Sequence, residues 1–200
     1  MITLALLLAT QSVLDAERAF AQLAQDKGQW TAFRATAAPD AVMFVPEPVK
    51  AQEWLKDRKD PPKSVKWWPI EAWESCDGSL GVTRGGAEWP GGTFSQYTTA
   101  WKRQPDGKFK WFYDKGSDVP KRPPTPVAMP LVRASCLGKA VPYIRSLDPT
   151  VRARGRTISN DGTMEWTWIS QSDGSFEASA LLWNGKEYQL FAVTETPAPK

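Results

Sequence analysis

The chain has 200 residues, enough for a sizeable core in one elaborated domain or two small ones. Its 25 Lys and Arg against 22 Asp and Glu leave a net charge of +3, far from the basic surface that a nucleic-acid partner requires. It contains no histidine, which excludes Ser-His-Asp and Cys-His triads, histidine bases and histidine-ligated zinc.

The opening twelve residues, MITLALLLATQS, carry a short apolar run from Ile2 to Ala9. A membrane-spanning helix takes about 20 apolar residues, so the run reads as a secretory signal over residues 1–12, although no basic residue precedes it. The alternative is the buried first turn of a helix. Export predicts a periplasmic or extracellular protein with no integral membrane segment after processing. It also places Cys76 and Cys136 in an oxidising compartment, where they are expected to form a disulfide rather than two buried thiols.

From Val13 to Ala38 the pattern is helical. Leu14, Phe20, Leu23 and Ala24 recur at three- and four-residue steps, and Asp15 and Glu17 suit the positive end of a helix dipole. Gly28 marks a break or kink, with Trp30, Phe33 and Ala37 continuing the apolar face. Pro39 ends the run, and Val42 to Val45 form a short strand. A second, shorter helix fits KAQEWLKDRK, followed by a loop at DPPK.

From Ser64 onward the texture is that of strands. Five Asx-Gly pairs, at Asp77, Asp106, Asp161, Asp173 and Asn184, punctuate aromatic and β-branched runs and predict tight hairpin turns. The first lies in DGSLGVTRGGAEWPGG, whose glycines precede no helix and so build no phosphate cradle. Gly85-Gly86 is expected to mark a bulge or sharp bend. DVPKRPPTPVAMP is too rich in proline for a central strand and reads as a linker or strap. Arg152, Arg154 and Arg156 read as a solvated loop. TMEWTWIS, SFEASALLW and KEYQLFAVTE then form a meander whose apolar face needs a partner, the simplest being the first domain.

This order of elements, with phrases such as DAERAFAQLAQDKGQWTAF, DGSLGVTRGGAEW and TTAWKRQPDGKFKWFYDKG, resembles the SnoaL-like and uncharacterised branches of the nuclear transport factor 2-like superfamily. The resemblance covers about residues 13–120. It implies N-terminal helices packed on a curved antiparallel sheet, a cone; with the Pro-rich strap and C-terminal antiparallel β-meander of residues 121–200, which lie outside the resemblance, the whole chain is expected to be α+β. The resemblance also implies a cavity inside the cone. Asp114 lies where related domains carry an Asp near the pocket mouth; in an apolar cavity its pKa rises and it can move protons.

The candidate catalytic residues are Asp114 and Glu88 as carboxylates and Tyr97 as an electrophile. Each also has a plain structural reading: a strand-end cap, an ion pair, a core aromatic. Arg84 is a candidate anion anchor, and Trp89, Trp101 and Trp111 are candidate ligand contacts or core filling. Neither a phosphate-binding loop, a dinucleotide fingerprint nor calcium-loop spacing occurs, so no cofactor or metal is expected. Three functions remain: a non-catalytic module holding a small apolar or aromatic ligand, a carboxylate-based isomerase, dehydratase or cyclase, and a structural module forming a homodimer.

Overall fold

The computed structural model describes residues 11–128, 130–141 and 151–196. The expected signal segment therefore falls almost wholly outside the described residues. Helix α1 (Val13–Lys27) starts at a capping box in which Ser12 and Asp15 satisfy each other's backbone donors. Helix α2 (Gln29–Thr36) follows after Gly28, at φ 106°. A Cβ there would lie 2.3 Å from the Asp60 carboxyl carbon, and that carboxylate accepts hydrogen bonds from Thr31 N and Oγ1 at the start of α2. The break between the helices thus needs glycine for both backbone angle and space.

Strand β1 (Ala37–Phe44) begins five residues earlier than the expected Val42, running through Pro39. It is followed by β2 (Pro48–Lys50) and the short helix α3 (Ala51–Leu55). Strands β3 (Lys66–Glu74), β4 (Leu80–Glu88), β5 (Phe94–Arg103) and β6 (Phe109–Val119) form the predicted antiparallel meander. All five Asx-Gly glycines have positive φ, as the hairpin turns require. Two parallel pairings make the sheet mixed: β1 joins β6, and β7 (Leu131–Arg133), emerging from the proline-rich strap, joins β3. Its strand order is β2-β1-β6-β5-β4-β3-β7.

The C-terminal sheet has four strands, β11-β10-β9-β8, where the sequence pointed to three. Strand β8 (Val151–Ile158) is the segment carrying Arg152, Arg154 and Arg156. Arginine alternates with small or apolar residues along this edge strand, which puts Arg154 and Arg156 on one face, while a register shift between Val151 and Ala153 leaves Arg152 as an extra residue. Arg156 pairs there with the buried Glu165 of β9 (Met164–Gln171), and Arg152 reaches Glu47. Reading charge density alone concealed that alternation. Strands β10 (Phe176–Trp183) and β11 (Tyr188–Thr196) complete the sheet.

Two cores result. The concave face of the first sheet packs on α1 and α2 through Phe20, Trp101 and Trp111, with edge-to-face contacts such as Phe20–Phe33 at 4.8 Å. Its convex face presents Trp73, Val82, Ala100 and Tyr113 to Met164, Trp166, Trp168 and Phe176 of the second sheet. The partner for the meander is therefore the back of the cone. Cys76 and Cys136, with Cα atoms 5.2 Å apart, form the expected disulfide beside this junction. Glu74 is fully buried there, paired with Arg133 of β7 at 2.6 Å and Arg103 of β5 at 3.4 Å.

Candidate functional site

Between α1, α2 and the concave face lies a cavity of about 270 Å³. Its wall is aromatic, with Phe20, Trp30, Phe33 and Trp67 contributed by the helices and β3, and Phe44 from β1. Polar atoms enter from the strands through Tyr97, Thr99, Asp114 and Asp118.

Asp114 reaches this wall because β6 carries an irregularity. Ala100 pairs with Tyr113 and Trp101 with Trp111, so Phe112 is an extra residue in the ladder. Strict alternation from Trp111 would turn Tyr113 inward and Asp114 outward; the bulge reverses the phase. Thr99 Oγ1 donates to Asp114 Oδ2 at 2.7 Å. Protein atoms surround the carboxyl group, and the part left open faces the cavity. This desolvation raises its pKa to about 6, against which the Thr99 hydrogen bond works.

Tyr97 stands beside it on β5 and needs room. A Cβ on Gly85 would lie 2.5 Å from the Tyr97 hydroxyl and 2.1 Å from the carbonyl oxygen of Trp68, so glycine is required at that position. The register break in β3 and β4 lies opposite, at Ile70, between the pairs Pro69–Gly85 and Glu71–Arg84. The expected irregularity is present, but the extra residue sits in β3, and Gly85 and Gly86 supply clearance. The Tyr97 hydroxyl is buried and has no hydrogen-bond partner among the described residues. Desolvation drives its pKa well above 10, aided by the fields of Glu17 and Asp114.

Glu17 is the group that the sequence reading overlooked. Its place near the start of α1 suits the helix dipole, yet it is completely buried. Trp67 Nε1 donates to its Oε1 at 2.8 Å, and the Thr83 hydroxyl donates to Oε2. Burial lifts its pKa to about 7, opposed by those hydrogen bonds and reinforced by the charge of Asp114. Tyr97 lies close enough to perturb it without reaching hydrogen-bond geometry. A signal existed: Glu17 stands three residues from Leu14 and from Phe20, on the apolar stripe of α1.

The structure separates the other candidates. Glu88 and Arg84 occupy the convex phase of β4, because they alternate with the inward Thr83, Gly85 and Ala87. Glu88 faces Arg122 of the strap at 3.7 Å, and Arg84 pairs with Glu71. Neither side chain lines the cavity, so Glu88 does not converge with Asp114 and Arg84 anchors nothing inside the cone. Trp101 and Trp111 are buried in the helix-side core, donating to Thr83 and Thr36 at 3.0 Å each. Trp89 alone of the three candidate tryptophans lines the cavity, at its rim, where it is 41% exposed and donates to Ser95.

Neither a scan of family models nor a search of curated proteins finds a match. Solved structures with a similar fold include three bacterial proteins. An NTF2-like protein of unknown function from Shewanella baltica is 11% identical, covering 56% of this chain and 99% of its own, with a TM-score of 0.39. The Δ5-3-ketosteroid isomerase of a Mycobacterium species is 15% identical, covering 52% and 91%, with a TM-score of 0.38. A Mycobacterium tuberculosis protein in complex with estradiol-17β-hemisuccinate is 18% identical, covering 53% and 93%, with a TM-score of 0.38. Over about half of this chain the element order, two helices, a short strand pair, a third short helix and a four-strand meander, is similar to that of these nuclear transport factor 2-like structures.

Proposed function

We propose that the cone holds a small apolar or aromatic molecule without transforming it. The observation that carries this reading is the cavity itself: about 270 Å³ lined by several aromatic side chains, with most of its polar residues on strands β5 and β6. Such a division of labour suits a ligand with a flat apolar body and one polar end. Trp30 and Trp67 lie in the wall, so occupancy will change their fluorescence. Native mass spectrometry of the protein as isolated, followed by calorimetry with any co-purifying compound, tests the reading. A protein that carries nothing and binds no apolar probe would refute it.

A second reading rests on one specific arrangement. Asp114 and Tyr97 share the cavity wall, the first with a pKa near 6 and the second with a free hydroxyl. Together they offer a base and a hydrogen-bond donor for moving a proton next to a carbonyl, as an isomerase or lyase does. Turnover by the wild type that disappears in Asp114→Asn and persists in Glu88→Gln would establish it. The disulfide further supports export, since such bonds persist in oxidising compartments; fractionation of cells expressing the full chain checks this.

A further inference from the structure

We propose that the polar end of the ligand is an organic cation, an ammonium group seated between Asp114 and the aromatic wall, with its apolar body filling the rest of the cone. This deepens the reading of the cone as a ligand cavity and rests on it.

Three observations converge. First, among the described residues the ionisable side chains lining the cavity besides Tyr97 are two carboxylates, Asp114 and Asp118, and no lysine or arginine lines it. An anionic ligand would meet these two carboxylates with no cation among the described lining residues to offset them. Second, Asp114 receives one hydrogen bond from a side chain, that of Thr99, and makes no ion pair among the described residues. The buried Tyr97 oxygen beside it has no partner among those residues either, so its lone pairs can face a cation. Third, the cavity lining includes Trp30, Phe33, Trp67 and, at its rim, Trp89, aromatic side chains of the kind that attract cations.

The groups around Asp114 leave the positive position open. Glu17 approaches from α1, Tyr97 from β5 and Tyr113 from its own strand, each perturbed by the Asp114 charge. The parallel neighbour β1 presents Val42 and Met43. Lys115 follows in sequence but lies on the convex face, where its Nζ donates to Ser117 at 3.1 Å and lies 5.0 Å from the Phe176 ring. A bound ammonium would also relieve the mutual repulsion of Glu17 and Asp114.

Because Asp114 titrates near 6, a ligand of fixed positive charge is expected to bind less well as the pH falls through that value. The test uses the full chain and three naphthalene probes that differ at one end: (2-naphthylmethyl)trimethylammonium, 2-naphthylmethanol and 2-naphthoate. Calorimetry at pH 7.5 should rank them in that order, the cation exceeding the alcohol by about tenfold or more. Asp114→Asn should remove this preference while keeping affinity for the alcohol, which also reports that the variant is folded. Should that variant fail to fold, the wild-type pH profile decides: falling affinity for the quaternary cation below pH 6 supports the proposal, and a flat or inverted profile overturns it. Equal or tighter binding of the alcohol or the carboxylate overturns the cation assignment and leaves the cavity reading standing. Binding of none of the three probes overturns both.

Discussion

Glu17 shows how one buried acid links fold and site. Its pKa is about 7 in the folded protein against an ordinary 4.5, because burial disfavours the carboxylate. A folded-state pKa above the unfolded one means that the native state holds the proton more tightly. Stability from this group is complete below pH 4.5 and declines as pH rises towards 7. Asp114 acts in the same direction over a lower window, from its ordinary 3.8 to about 6. Urea denaturation of the wild type should therefore lose a few kcal/mol between pH 5 and about 8. Glu17→Gln, whose amide oxygen can accept from Trp67 while its NH2 donates to the Thr83 hydroxyl, should flatten the part of the curve above pH 6. An unchanged slope would exclude Glu17 as its source.

At the scale of one element, β6 carries the decisive irregularity. Phe112 allows Trp111 to face the helices and Tyr113 to face the second sheet, both without exposed surface. It also turns Asp114 into the cavity. Deleting Phe112 places Tyr113 directly after Trp111 in strict alternation, so both aromatic side chains should keep their faces and Asp114 should still turn into the cavity. Phe112→Ala keeps the bulge, and in both variants Asp114 should still titrate near 6 by carboxyl ¹³C NMR. A return of Asp114 to its ordinary 3.8 in the deletion variant would argue against ladder phase as the feature that turns it inward.

At the scale of the molecule, one curved sheet is covered on both faces, by helices within and by the second sheet behind. The turns that join these layers resemble each other: Ser75-Cys76-Asp77-Gly78 and Ser159-Asn160-Asp161-Gly162. Asp77 N donates to Asp161 Oδ2 at 2.9 Å, and Asp161 N donates back to Asp77 Oδ2 at 3.1 Å. The disulfide fastens the same junction across 60 residues. In the chain-entropy model its closure contributes about 4 kcal/mol, so Cys76→Ser should lower the urea midpoint markedly. Reductant should shift the wild type to match and leave the variant unmoved.

Local chemistry made much of this protein legible in advance. Asx-Gly pairs need positive φ and so declared the hairpins; the apolar stripe and Gly28 declared the paired helices; two cysteines allowed one pairing. Other features depend on partners distant in sequence. The parallel additions of β1 and β7 and the membership of β8 follow from which edges were free to pair. The inward turn of Asp114, the outward turn of Glu88 and Arg84, and the burial of Glu17 were decided by one bulge, strand phase and the docking of α1. Side-chain period is a local property, but its phase relative to a cavity is set only when the sheet closes around it.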